Sequence, residues 1–209
     1  PTAAYFGCKK ANEPLHIQWN PVTDEVEVVN YSAGLHKGLT AKAQLINMDG
    51  SVAWEKEATI DSEEDTTGKC IKLEFPADLS AAHYVKLTLT ENGQLVSDNF
   101  YLRGTEEGNY QALRQLPKVE FTPSIQTQKG TDGTWTATVA LENKSNTPAL
   151  LIRVNVLGAS SGEQILPMFY SDNYFSLLPG EQKTVNIHWA DADMRGEQPK
   201  IVVSGFNVK

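Results

Sequence analysis

Apolar residues recur at every second position through most of this chain, and that period admits one kind of element. Leu15, Ile17 and Trp19 alternate with His16 and Gln18, and Leu39, Ala41, Ala43 and Leu45 alternate with Thr40, Lys42 and Gln44. Ile71, Leu73 and Phe75 alternate with Lys72 and Glu74, and Val85, Leu87 and Leu89 with Lys86 and Thr88. Successive side chains of a strand point to opposite faces, so each run predicts a strand with one dry and one wet face. Antiparallel sheets packed face to face need that pattern. Asp49-Gly50 and Asn92-Gly93 supply the positive-φ residues of tight hairpins between runs. With residues 26–30, 52–60 and 94–102 added, about seven strands fit before residue 105, enough for an immunoglobulin-like sandwich.

The segment RGTEEGNYQALRQLPK, residues 103–118, breaks the rhythm. It is charged, holds two glycines and ends near a proline, which predicts a linker with one helical turn over 105–118. Alternation then resumes in 119–128 and 134–143, on either side of Gly130-Thr-Asp-Gly133, and in 150–157, 164–169, 183–189 and 200–208. Trp135, Ala137, Val139 and Leu141 share one face of their run while Thr136 and Thr138 share the other. The predicted fold is all-β: two tandem immunoglobulin-like β-sandwiches, 14–104 and 119–209. They follow a short N-terminal helical remnant, 1–13, whose run of helix formers, Ala3 to Asn12, is stopped by Pro14. The Cys–Trp–Cys spacing of antibody domains is absent, so the likeness is architectural.

Composition excludes several functions. A formal net charge of -8 argues against a nucleic-acid partner, which needs clustered Lys and Arg. No apolar run approaches the roughly 18 residues of a membrane span, so no membrane insertion is expected. The opening PTAAYFGCKKANEP lacks a leader layout, and a start without Met reads as a mature or excised piece. Cys8 and Cys70 form no CxxC and read as two free thiols, and His16, His36, His83 and His188 stand singly. Acidic residues cluster as Glu63-Glu64-Asp65, Glu106-Glu107 and Asp191-Ala-Asp193, which read as solvated loop charge rather than a facing carboxyl pair. Asp-x-Asp alone lacks the further oxygen ligands calcium needs. Ser97-Asp98-Asn99 echoes a β-lactamase tripeptide without the accompanying SxxK and KTG. No catalytic residue, metal or cofactor is predicted.

The stretch FYSDNYFSLLPGEQKTVNIHW, residues 169–189, is the densest in aromatics. Val185, Ile187 and Trp189 share a strand face, which favours Phe169, Tyr174, Phe175 and Trp189 as core and corner. Leu178-Pro-Gly-Glu181 reads as a turn, with Pro fixing one φ and Gly supplying the positive one. Asp172 and Asn173 suit side-chain-to-backbone bonds that hold a bend. The competing reading sets Tyr170 and Tyr174 outside as sugar-stacking faces.

Several motifs together resemble the junction and C-terminal β-sandwich domains of glycoside hydrolase family 2, in its β-mannosidase and exo-β-glucosaminidase branch. They are AAYFGCKKANEPLHIQW (3–19) with VEVVN (26–30), SDNFYL (97–102) with NYQAL (109–113), and YSDNYFSLLPGE (170–181). Lys9 to Leu15 match the K-x-x-x-E-P-L segment in which that family's last barrel helix enters the sandwich. The resemblance implies a parent that hydrolyses O-glycosyl bonds of glycans on a catalytic (β/α)8 barrel. The acid/base and nucleophile glutamates would lie on barrel strands, and no position here matches them. It therefore implies that this piece is a non-catalytic accessory scaffold partnered by that barrel, in a periplasmic or secreted enzyme. Tyr170, Asp172, Asn173 and Tyr174 become the expected contacts to the barrel or to carbohydrate. An independent carbohydrate-binding module and a cell-surface adhesion pair are the alternatives.

Overall fold

The computed structural model describes residues 2–209. It forms two compact units, one of Gly7–Leu116 and one of the residues through Phe6 with Pro117–Lys209. The helix α1 runs over Ala3–Ala11 and ends at Asn12, whose backbone N–H and side-chain amide both donate to the Cys8 carbonyl. This is more than a leftover turn: Phe6 is buried in the core of the second unit.

In the first unit the strands are β1 (Leu15–Asn20), β2 (Glu25–Asn30), β3 (His36–Asn47), β4 (Val52–Ser62), β5 (Thr66–Lys72), β6 (Ala82–Glu91) and β7 (Gln94–Gly104). They make two antiparallel sheets, β1-β2-β5 and β4-β3-β6-β7. The alternation works as predicted: Leu39, Ala41, Ala43 and Leu45 of β3 and Val85, Leu87 and Leu89 of β6 meet Ile17, Val26 and Val28 in one core. Fully burying each large aliphatic among them contributes about 1.5–3 kcal/mol. Asn92 and Gly93 at the β6–β7 turn have φ of 50° and 77°, as a type I′ hairpin requires. The expected linker 105–118 holds a 3-10 turn at Gln111–Gln115, and Leu113 and Leu116 are buried, so apolar anchors sit inside that polar segment.

In the second unit the strands are β8 (Ser124–Lys129), β9 (Thr134–Glu142), β10 (Ala149–Gly158), β11 (Phe169–Tyr170), β12 (Phe175–Leu177), β13 (Gln182–Ala190) and β14 (Pro199–Ser204). The sheets are β12-β10-β14 and β11-β13-β9-β8. Three expected strands are shorter than their sequence runs. The run 119–128 is strand only from Ser124, and 164–169 is irregular up to Phe169 because Pro167 has no N–H to donate to a ladder. The run 200–208 stops at Ser204, where the backbone of Gly205 approaches so closely that a Cβ there would lie 2.9 Å from the Leu150 carbonyl oxygen.

Register decides the faces of the larger sheet. Val185, Ile187 and Trp189 of β13 pair with Val139, Ala137 and Trp135 of β9, and all but Trp135 are buried. A slip of one residue would turn that whole set to solvent. The opposite face is built of rungs running across the strands. One rung is Phe169–His188–Thr136–Gln128, the next is Asn186–Thr138–Gln126, and the third is Thr184–Ala140–Ser124.

Both sandwiches turn the same corner after a strand. Asn30 ends β2 and Asn143 follows β9; each is fully buried, and each Oδ1 accepts from the backbone N–H and hydroxyl of the serine two residues on, Ser32 or Ser145. The Asn30 amide donates to the carbonyls of Gly34, Ser62 and Glu63, and that of Asn143 to Thr147 and Leu177. A planar amide with two donors and an acceptor can bridge backbone groups that no ladder pairs, which is why asparagine stands at these bends.

Candidate functional site

The structure brings polar residues together in two places, one at motifs the sequence set apart and one at the expected tip, and neither has the form of a catalytic centre. The first lies where α1 leads into β1. Lys10 Nζ lies 2.8 Å from Glu13 and 2.6 Å from Asp98. Ser97 Oγ donates to Glu13 Oε2 at 2.7 Å and accepts the Ile17 N–H, while Asn99 Nδ2 donates to the Ile17 carbonyl at 2.9 Å. His16, buried, lies 3.4 Å from Glu13 through Nδ1 and 3.3 Å from the Asn99 amide through Nε2. The Ser97-Asp98-Asn99 triplet, which as a sequence suggested an enzyme motif, thus clamps the segment Lys10–Ile17 onto β7. Burial acts to raise the Glu13 carboxyl, yet hydrogen bonds from His16, Lys10 and Ser97 outweigh it and hold it at about 2. Burial lowers Lys10, but Asp98 and Glu13 reverse the sign and leave it raised. These are the shifts of an ion-pair network at a joint rather than of a proton donor poised near neutrality.

The second is the tip before β12. Asn173, buried, accepts the Val154 N–H through Oδ1 at 2.8 Å and donates to the Val154 carbonyl through Nδ2 at 2.9 Å. Its side chain therefore acts as a one-residue strand along β10. Asp172 accepts the Asn173 N–H at 2.8 Å and pairs with Lys183 at 2.6 Å. Tyr174 has φ of 59°, a left-handed backbone uncommon for a bulky residue. Its N–H donates to Asn173 Oδ1, and its ring is half-buried beside Phe6, 6.0 Å between centroids. Gly180 at φ 82° and the Glu181 N–H to Leu178 carbonyl bond of 3.1 Å complete the turn foreseen at Leu178–Glu181.

Two aromatics exchange their expected places. Phe169, expected in the core, is 55% exposed, and Tyr170, considered for the surface, is 7% exposed. The cause is register: Phe169 pairs with outward His188, so Tyr170 pairs with inward Ile187. Burial pushes the Tyr170 hydroxyl up. Phe169 instead stacks on His188, with centroids 4.9 Å apart and planes 10° apart. Trp189, 1% exposed, stacks in the core on the half-buried Trp135 at 6.0 Å, and the Trp135 N–H donates to Asp191 at 2.7 Å. Lys129 also pairs with Asp191, so that carboxylate is engaged rather than open to a cation. Among the described residues no group of His, Cys, Asp and Glu is disposed to hold a metal. His36 pairs with Glu91, and buried His83 meets the Ser80 carbonyl, so the histidines do not converge.

One feature escaped the sequence reading. Asn30-Tyr-Ser32 and Asn143-Lys-Ser145 are Asn-x-Ser triplets, the acceptor pattern for N-linked sugars. Both amides are buried and committed to carbonyls, so they serve the corners described above. Their repetition at equivalent bends could have been noticed in the sequence; their burial could not.

Residues 24–103 match the mannosidase Ig/CBM-like domain family, and residues 99–208 match the exo-β-D-glucosaminidase Ig-fold domain family. The chain belongs to the latter family, and with it to the C-terminal β-sandwich region of glycoside hydrolase family 2. An exo-β-D-glucosaminidase from Streptomyces avermitilis is 34% identical across 98% of this chain, and one from Amycolatopsis orientalis is 33% identical across 98%. The chain spans 25% and 22% of those two relatives. The crystal structure of the Amycolatopsis orientalis exo-chitosanase CsxA superposes with a TM-score of 0.90 at 30% identity, over 98% of this chain and 27% of that one. A β-D-mannosidase from Dictyoglomus thermophilum, at 14% identity and a TM-score of 0.68, shares the fold.

Proposed function

We propose that this chain is a non-catalytic scaffold region of a family 2 glycoside hydrolase whose parent removes β-linked glucosamine or mannose units from glycans. The observation that carries the reading is the span of the likeness: nearly all of this chain corresponds to about a quarter of each exo-β-D-glucosaminidase. The carboxylates described above support it, since Glu13, Asp98, Asp172 and Asp191 are each engaged by a cation or a backbone or side-chain donor. The partner would be a catalytic (β/α)8 barrel of the same parent. The clamp around Glu13 would then fix the angle at which a barrel's last helix enters the first sandwich. At the tip, Asp172 and Tyr174 keep exposed surface for a barrel contact, while Tyr170 and Asn173 support them from inside. Polymeric glycans are met outside the cytoplasm, so the parent would be periplasmic or secreted.

The test is an assay of the purified chain on nitrophenyl β-glucosaminide and nitrophenyl β-mannoside. No nitrophenol release above buffer is expected. Turnover that co-purifies with the folded chain through successive columns would end the scaffold reading.

A further inference from the structure

The outer face of the sheet β11-β13-β9-β8 is built along its centre from uncharged side chains. The chain carries 18 basic and 26 acidic side chains, yet the three central rungs of this face hold no Lys, Arg, Asp or Glu. The nearest charge on the face is Glu142, one rung further along at the end of β9. Amides and hydroxyls fill the rungs instead. Thr138 Oγ1 donates to Asn186 Oδ1 at 3.2 Å, which leaves the Asn186 NH2 group directed away from that bond. At one margin stands an aromatic surface: Phe169, pre-set by its stack on His188.

We infer that this face is a binding site for a neutral polysaccharide chain. An extended sugar polymer offers two kinds of surface, the C–H face of each ring and the hydroxyls around its rim. An exposed aromatic suits the first, and a row of amides and hydroxyls suits the second. Phe169 provides the aromatic platform, with half its surface available and its orientation already fixed, so little freedom is lost on binding. Asn186, Thr138 and Thr136 lie within one strand spacing of roughly 5 Å and one same-face step of roughly 7 Å from the stacked pair, close enough for adjacent sugar units.

Charge decides between occupants. A nucleic acid or an anionic surface needs cations here, and there are none on these rungs. A protein interface places aromatic and aliphatic residues at its centre, whereas the centre of this face is threonine and amide. A polycation would gain most from carboxylates, and these lie off the central rungs. What remains matched is a neutral polymer. This inference goes beyond the scaffold reading and holds whether or not a barrel accompanies the chain.

The experiment is calorimetric titration of the 209-residue chain with neutral hexasaccharides of β-linked N-acetylglucosamine, mannose and glucose. Saturable binding to at least one is expected. Phe169→Ala should weaken it about tenfold, ~1.4 kcal/mol. Thr138→Lys, which sets a charge in the middle of the face, should weaken it similarly. Both positions are exposed, so both variants should keep the parent melting temperature, and a loss of binding cannot be put down to unfolding. Absence of heat with all three sugars at millimolar concentration would overturn the proposal. So would binding that neither substitution changes. A protonated glucosamine hexamer that binds more tightly than every neutral sugar, and releases in salt, would show attraction to the net charge of -8 instead.

Discussion

Asn173→Ala removes a side chain that is buried and bonded on both sides to Val154. The Val154 N–H loses its acceptor and the Val154 carbonyl its donor, bonds of 2.8 and 2.9 Å. Both groups lie in β10, inside the second sandwich. An unsatisfied buried donor or acceptor costs about 1–3 kcal/mol, so the pair together gives roughly 2–6 kcal/mol. Water entering the vacated space would place the result in the lower half of that range. For a unit of about 100 residues the expected fall in melting temperature is about 4–8 °C per kcal/mol. Asn173→Asp sharpens the test. An ionised carboxylate still accepts from the Val154 N–H but sets a second oxygen against the Val154 carbonyl, whereas a protonated carboxyl can donate to it. The folded state should therefore raise the pKa of the new aspartate above its unfolded value near 3.9. A group raised in the folded state binds protons more tightly there, so the variant is closest to the wild type below pH ~3.9 and its deficit grows as pH rises toward the folded value. Urea unfolding of the second sandwich at pH 4 and pH 7, followed by Trp fluorescence, measures both effects. A deficit below about 1 kcal/mol for Asn173→Ala, or one for Asn173→Asp that is equal at the two pH values, would refute the strand-substitute role.

Trp189→Ala should destabilise the second sandwich by about 3–5 kcal/mol, because it empties a fully packed indole site; Trp189→Phe should cost less, since the buried Trp189 N–H has no partner among the described residues. Both are read from thermal melts. Glu13→Gln should flatten the acid limb of the first sandwich's stability. Glu13 is held at about 2, below its unfolded range, so its contribution is complete above about pH 4.3 and disappears as pH falls toward 2. Denaturant titrations across that window check the sign. Tyr174→Ala, together with Asp172→Ala, should lower the melting temperature or activity of a full-length parent more than that of the isolated chain; equal effects in both would remove the tip as a barrel contact. Asn143→Gln should unfold the second sandwich in part whether or not the host can add N-linked sugars, and a mass shift from glycosylation at Asn143 in the wild type would contradict its burial.

The sequence by itself determined the all-β class and most of the core. Alternation at Leu39–Leu45, Val85–Leu89 and Val185–Trp189 is local information, because a strand's two faces are fixed by its own period of two. Hairpins at Asn92-Gly93 and the turn at Gly180 were equally legible, since a positive φ leaves few residues to choose from. Register was not legible. Phe169 and Tyr170 are adjacent aromatics, and only pairing with His188 and Ile187 decides which one meets water. Nor could the sequence show that Glu13 and Ser97, 84 positions apart, share one hydrogen bond, or that Asn173 completes a strand 19 residues away. Local propensity acts over a few neighbours. A side chain that satisfies a distant backbone group, or a row of uncharged rungs across a sheet, exists only once the strands have paired and the chain has closed on itself.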